Sequence, residues 1–113
     1  MLTYPQNASL TELQQYVRDK CRERGFDSAS NLEIFLLFSE EVGEMAKAMR
    51  NCRGLFQEAA KKGAEDDTAA RARLAEEMSD VLSYLLDLAN RYGVSLDEAF
   101  RRKEAVNDRR SWK

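Results

Sequence analysis

The sequence predicts an all-α protein with a four-helix, bundle-like architecture. Three observations carry that reading. Helix-start signals recur along the chain. One proline and five glycines are all that interrupt 113 residues, so turns are few and segments long. No stretch alternates with period two for long enough to make a sheet. The length suits one domain over residues 1–113 and is too short for two.

The first helix is expected over Ser9–Arg24. Ser9-Leu10-Thr11-Glu12 reads as a capping box, and Gly25 marks the stop. The second is expected over Asn31–Arg53, opened by Ser30-Asn31-Leu32-Glu33 and closed by Gly54. Leu55 to Asp67 then breaks the pattern. After Leu55 and Phe56 it holds no large apolar residue and ends in a charged run, so it reads as a polar, partly helical, mobile connection. The third helix is expected over Thr68–Tyr92, stopped by Gly93, and the fourth over Leu96–Ser111, opened by Ser95-Leu96-Asp97-Glu98.

The second helix is apolar on several sides at its start, with Leu32, Ile34, Phe35, Leu36, Leu37 and Phe38. A helix of that kind is buried on several sides, and the natural extra cover is another subunit. A homo-oligomer is therefore expected. The third helix carries a broad stripe of Leu74, Met78, Val81, Leu82, Leu85, Leu88 and Ala89.

Composition narrows the class. Hydrophobic residues make up 43% and charged residues 34%, as in soluble helical proteins. No apolar run approaches the ~18 residues of a membrane span. Residues Met1 to Leu10 lack the charged start and apolar stretch of a signal peptide, so a cytoplasmic location is expected. The net charge of −2 is no nucleic-acid footprint. Cys21 and Cys52 form no CxxC and have no histidine to join them, so both are expected to be reduced and structural.

Two acidic pairs of equal spacing carry the functional lead. They are Glu41-x-x-Glu44 and Glu77-x-x-Asp80. A spacing of three puts both carboxylates of a pair on one helix face. At ~100° per residue, Glu41 shares a sector with Ile34, Leu37, Phe38 and Met45. Glu77 and Asp80 border the leucine stripe, with Tyr84 between them in projection. A chain with 20 acids carries such spacings by chance, and a surface pairing such as Glu44 with Lys47 is the plain alternative. Acids beside two core-facing stripes are harder to dismiss, because grouped buried carboxylates need cations. All-oxygen donors favour Mg²⁺ or Mn²⁺, with Ca²⁺ admitted. With no histidine, zinc and the usual di-iron carboxylate bundle are both disfavoured.

Mg²⁺ held by a few carboxylates usually completes its shell with water and phosphate oxygens. A basic cluster fits such a substrate. On the last helix Lys103, Asn107 and Arg110 fall at i, i+4 and i+7 on one face. Alone they read as a solvated face, or as cations complementing the helix dipole. Beside an acidic metal site the same face reads as a phosphate clamp.

These residues resemble a known family. Glu40-Glu41-Val42-Gly43-Glu44-Met45-Ala46-Lys47-Ala48 looks like the EExxE segment of MazG-type nucleotide pyrophosphohydrolases, and Glu77-Met78-Ser79-Asp80-Val81-Leu82-Ser83-Tyr84 looks like its ExxD segment. The likeness runs from about Asn31 to Arg110 and includes the Lys103-x-x-x-Asn107 that follows. It implies an all-α, Mg²⁺-dependent enzyme that hydrolyses a (deoxy)nucleoside triphosphate to a monophosphate and pyrophosphate in nucleotide-pool house-cleaning. It implies a homodimer or homotetramer. Its metal ligands fall on Glu41, Glu44, Glu77 and Asp80. Its triphosphate contacts fall on Lys103 and Asn107, and further on Tyr84 and Arg110. Glu40 matches the first acid of EExxE, as a base or as a partner to the ligands; with no histidine present, a carboxylate such as Glu40 or Glu41 must take the proton unless the metal lowers the water's pKa. The chain departs from relatives that hold the base between tryptophans. Its one tryptophan, Trp112, is nearly terminal, and Phe35, Phe38 and Phe56 are the other aromatic candidates, the first two read as core. Two other classes stay open: a non-catalytic helical interaction protein with the acids in interfacial salt bridges, and a nucleotide-binding regulator without turnover.

Overall fold

Four α-helices and a short 3₁₀ turn make up the described part of the chain, with no strand among the described residues. In the computed structural model these residues are 3–53 and 67–110. Helix α1 spans Leu10–Arg24, the 3₁₀ turn Phe26–Ser28, α2 Asn31–Arg53, α3 Asp67–Arg91 and α4 Leu96–Asn107. The all-α architecture expected from the sequence is thus present. The polar connection expected before α3, with its Gly54 stop, lies outside the described residues except for Asp67. Among the described residues no helix is long and apolar enough to cross a membrane.

The chain divides into two compact units, one of Met1–Ser30 with Leu86–Lys113, the other of Asn31–Leu85. In the first unit, α1 starts at a full capping box. The Ser9 hydroxyl accepts from the Glu12 N–H at 3.1 Å, and the Glu12 carboxylate accepts from the Ser9 N–H at 2.8 Å. These bonds satisfy donors that the first helical turn leaves without partners. The helix ends where Gly25 adopts φ 79°, a left-handed conformation that costs a residue with a Cβ about 1–2 kcal/mol.

Gln14 is the polar centre of this unit. Only 8% exposed, it donates to the Asn90 side chain at 3.1 Å and the Val94 carbonyl at 2.9 Å, and its Oε1 accepts from the Leu96 N–H at 2.8 Å. Asn90 returns a bond to the Gln14 carbonyl at 2.9 Å. One side chain therefore fixes the turn between α3 and α4 against α1. Ser95 caps α4 by accepting from the Glu98 N–H at 3.2 Å.

Helix α4 ends earlier than residue 111. After Asn107 the bonds tighten to i→i−3: Arg109 N–H reaches the Val106 carbonyl at 3.1 Å and Arg110 N–H the Asn107 carbonyl at 3.0 Å. Asn107 and Asp108 are weak helix formers whose side chains compete for backbone groups, which favours such a tightened end.

In the second unit, burial follows one seam on each helix. On α2 it runs through Ile34, Phe38, Glu41, Met45 and Ala48, from 3% exposed at Ile34 to half-buried at the centre. On α3 it runs through Ala70, Leu74, Glu77, Val81 and Tyr84. The steps of three and four keep each set on one face. Other apolar positions face outward in the single chain: Leu32, Phe35, Leu36 and Leu37 on α2, and Met78, Leu82 and Leu85 on α3. The expected leucine stripe of α3 is thus split: Leu74 and Val81 lie in the seam, Met78, Leu82 and Leu85 are exposed, and Leu88 and Ala89 belong to the first unit. Phe35, read as core from the sequence, is 51% exposed; it lies 6.3 Å from Phe38, centroid to centroid.

Candidate metal centre

Glu41 and Glu77 each occupy a seam position that would otherwise hold an apolar residue. Glu41 falls between Phe38 and Met45, Glu77 between Leu74 and Val81, and both are half-buried. Asp80 lies one turn beyond Glu77 and is exposed. Carboxylate oxygens of Glu41, Glu77 and Asp80 all lie within 4.8 Å of one another. Two helices contribute to this cluster, and their register is antiparallel. Glu41 meets Glu77 and Asp80, whereas residues further along α2, from Glu44 to Asn51, share a pocket with the earlier Arg73 to Glu77 of α3.

The electrostatics follow from this crowding. The Glu41 carboxyl is pushed above the ordinary carboxylate value, first by burial, then by a hydrogen bond with Glu77, and then by the charges of Asp80, Glu77 and Glu40. Three like charges at this range repel one another, and partial burial weakens the screening water provides. A divalent cation removes that repulsion. Three oxygen donors without nitrogen or sulfur suit a hard ion such as Mg²⁺, Mn²⁺ or Ca²⁺. The donor set therefore fits a metal, and Glu41, Glu77 and Asp80 are the residues that could hold it.

Not every expected residue joins the cluster. Glu44 is exposed and lines the neighbouring pocket beside Glu77. Glu40 is exposed next to Glu41, and Tyr84 is half-buried on the α3 seam. Lys103, Asn107 and Arg110 belong to the other unit. Lys103 is exposed on α4. The Asn107 amide donates to Glu104 at 3.1 Å, so its i, i+3 neighbour engages it. Arg110 follows the end of α4, in a turn, and so leaves the helical face shared by Lys103 and Asn107.

The pocket beside the acids brings in residues that motif spacing did not single out. Its volume is about 170 Å³, and Lys47, Asn51 and Arg73 line it together with Glu44 and Glu77. Lys47 had an ordinary reading as the ion partner of Glu44. The available signal was register: Glu44, Lys47, Ala48 and Asn51 fall at i, i+3, i+4 and i+7, as do Arg73, Glu76, Glu77 and Asp80.

An all-α fold with a carboxylate trio between two long helices defines the class: a helical protein with an acidic, cation-ready centre. Comparison with known proteins gives the family. The model of the MazG nucleotide pyrophosphohydrolase domain matches residues 29–111, and the chain belongs to that family. Both acidic pairs lie inside the match. The chain is also similar to a Bacillus subtilis (strain 168) protein called "Uncharacterized protein YpjD", 36% identical over 86 residues that cover 74% of this chain and 71% of that one.

Proposed function

We propose that this protein is a Mg²⁺-dependent pyrophosphohydrolase that converts a (deoxy)nucleoside triphosphate to its monophosphate and pyrophosphate, with Mn²⁺ as an alternative ion. The observation that carries the reading is the convergence of Glu41, Glu77 and Asp80 within 4.8 Å. Family membership supplies the reaction class.

In this reading Glu41, Glu77 and Asp80 hold the ion, and Glu44, next on the same face of α2, completes the ligand set. Once bound, the ion neutralises charge on the phosphate oxygens and eases deprotonation of water. Glu40 or Glu41 accepts the proton released when water attacks the α-phosphorus, since the chain has no histidine to do so. The leaving group is pyrophosphate. Tyr84, Lys103, Asn107 and Arg110 enter as triphosphate contacts on the strength of the family likeness. The exposed apolar faces of α2 and α3 support a homodimer or homotetramer, and nucleotide-pool house-cleaning in the cytoplasm is the role proposed.

The deciding experiment is a substrate panel. All canonical and several modified triphosphates are incubated with the protein and Mg²⁺ or Mn²⁺, and pyrophosphate is measured. Release from at least one of them, abolished by chelation, is expected. Binding of nucleotide without release from any would point instead to a regulator.

A further inference from the structure

The pocket that shares Glu77 with the acid cluster differs from it in character. Lys47 and Asn51 reach it from α2, and Arg73 from α3. Ala48, small and only 8% exposed, stands between the two α2 donors and leaves the space open. Among the described residues, no aromatic or large apolar side chain lines the pocket. Pockets for drug-sized ligands are typically ~300–1,000 Å³ and mostly apolar. With Lys47, Asn51, Arg73 and three glutamates in its lining, the pocket suits a charged, hydrogen-bonding group better than the flat apolar face of a nucleobase.

We propose that Lys47, Asn51 and Arg73 form an oxyanion subsite for the phosphates of the substrate and for the pyrophosphate released. The proposal rests on the pyrophosphohydrolase reading above and adds positioning residues to it. Lysine and arginine offer charge-assisted hydrogen bonds to phosphate oxygens, and the Asn51 amide offers two further N–H donors. Glu77 belongs to both the acid cluster and the pocket, so a phosphate bound at the first lies beside the second. The acids on the rim set a condition. Glu44, Glu76 and Glu77 repel a bare anion. They admit one that arrives with a divalent cation. The subsite is thus selective for metal-complexed phosphate.

The test is calorimetry on the full chain with Mg²⁺ alone, pyrophosphate alone, and both together. The wild type is expected to bind pyrophosphate only when Mg²⁺ is present. Lys47→Gln and Arg73→Gln should each weaken that binding about tenfold, the worth of a lost charge-assisted bond, and leave the affinity for Mg²⁺ alone unchanged. Lys47→Arg should restore most of the loss. Circular dichroism checks each variant, and Asn51→Ala provides a milder probe of the same pocket. Wild-type pyrophosphate affinity in folded Lys47 and Arg73 variants overturns the subsite, as does a wild type that ignores pyrophosphate with Mg²⁺. Either result leaves the hydrolase reading standing if nucleotides are turned over. Conversely, Mg²⁺-dependent pyrophosphate binding that fails in these variants upholds the subsite even if no triphosphate is cleaved.

Discussion

Arg91 donates to Asp87 at 3.1 Å, one turn back on α3, and both side chains are nearly buried, 12% and 10% exposed. The same guanidinium donates to the carbonyls of Phe26, at 3.0 Å, and Ala29. One cation therefore neutralises a buried acid and ties the 3₁₀ turn to α3. Removing one partner of a buried pair costs about 3–5 kcal/mol, because the other charge stays buried without compensation. Arg91→Met is expected to lose stability on that scale in urea unfolding. Arg91→Lys should lose less, keeping the charge but not the forked geometry.

Gln14 gives a second stability prediction. Its amide satisfies Val94, Leu96 and Asn90 at once, inside the first unit. Gln14→Leu preserves bulk but takes this partner from the Val94 carbonyl and the Leu96 N–H, while Asn90 keeps its bonds to Arg18 and to the backbone carbonyl of residue 14. Each unsatisfied buried group costs about 1–3 kcal/mol. The variant should unfold at lower denaturant, and hydrogen exchange at the Leu96 amide should speed up.

Substitutions at the acid cluster should separate chemistry from folding. Glu41→Gln, Glu77→Gln and Asp80→Asn each remove a donor charge from a site built of three. Each is expected to cut Mg²⁺-dependent pyrophosphate release by at least ~100-fold while leaving the helical signal intact. Turnover at the wild-type rate in all three would falsify the metal assignment.

The same cluster makes metal-free stability depend on pH. The folded-state pKa of Glu41 is raised, mainly by burial and then by Glu77, so in the window between its unfolded and folded values the native state binds the extra proton. Stability of the metal-free protein should therefore fall as pH rises through that window, then level off. Glu41→Gln should flatten this slope in thermal melts. Adding Mg²⁺ should reverse the disadvantage at neutral pH, by about 2.7 kcal/mol at a hundred times the dissociation constant.

Cys21 offers a chemical check on the first unit. Burial, followed by the charge of Asp87, pushes its thiol above the usual value, against smaller opposing effects of Arg91 and Arg24. The thiol should stay protonated at neutral pH and react slowly, since the thiolate is the nucleophile. Alkylation followed by mass spectrometry should find Cys21 labelled well below the rate of a free model thiol. In the folded protein Arg91→Met should slow it further, because the largest thiolate-favouring charge is gone.

Much of this was legible in the chain. The capping box at Ser9 and Glu12, the Gly25 stop and the cap at Ser95 act through neighbours in sequence, so local chemistry alone announced them. The i, i+3 spacing put Glu41 with Glu44 and Glu77 with Asp80 on shared faces, because helical periodicity is fixed. Zero histidines restricted the donors to oxygen. Family likeness then pointed to the MazG family, which the domain match over residues 29–111 shows.

Relations between helices were not legible in the same way. Periodicity says which residues share a face of one helix; it fixes neither the rotation of that helix against its neighbour nor the axial register. Those two quantities come from side-chain packing across the interface. They decide that Glu41, and not Glu44, meets Glu77 and Asp80, and that Lys47, Asn51 and Arg73 line one pocket. They also decide that Met78, Leu82 and Leu85 of the α3 leucine stripe face outward in the single chain. The sequence by itself determined the helices, the acid spacing and the oxygen-only donor chemistry, because each depends on residues a turn or two apart. Only the tertiary structure decided which carboxylates converge and which side chain, Gln14, closes the polar centre of the first unit, because those contacts join residues that are distant along the chain.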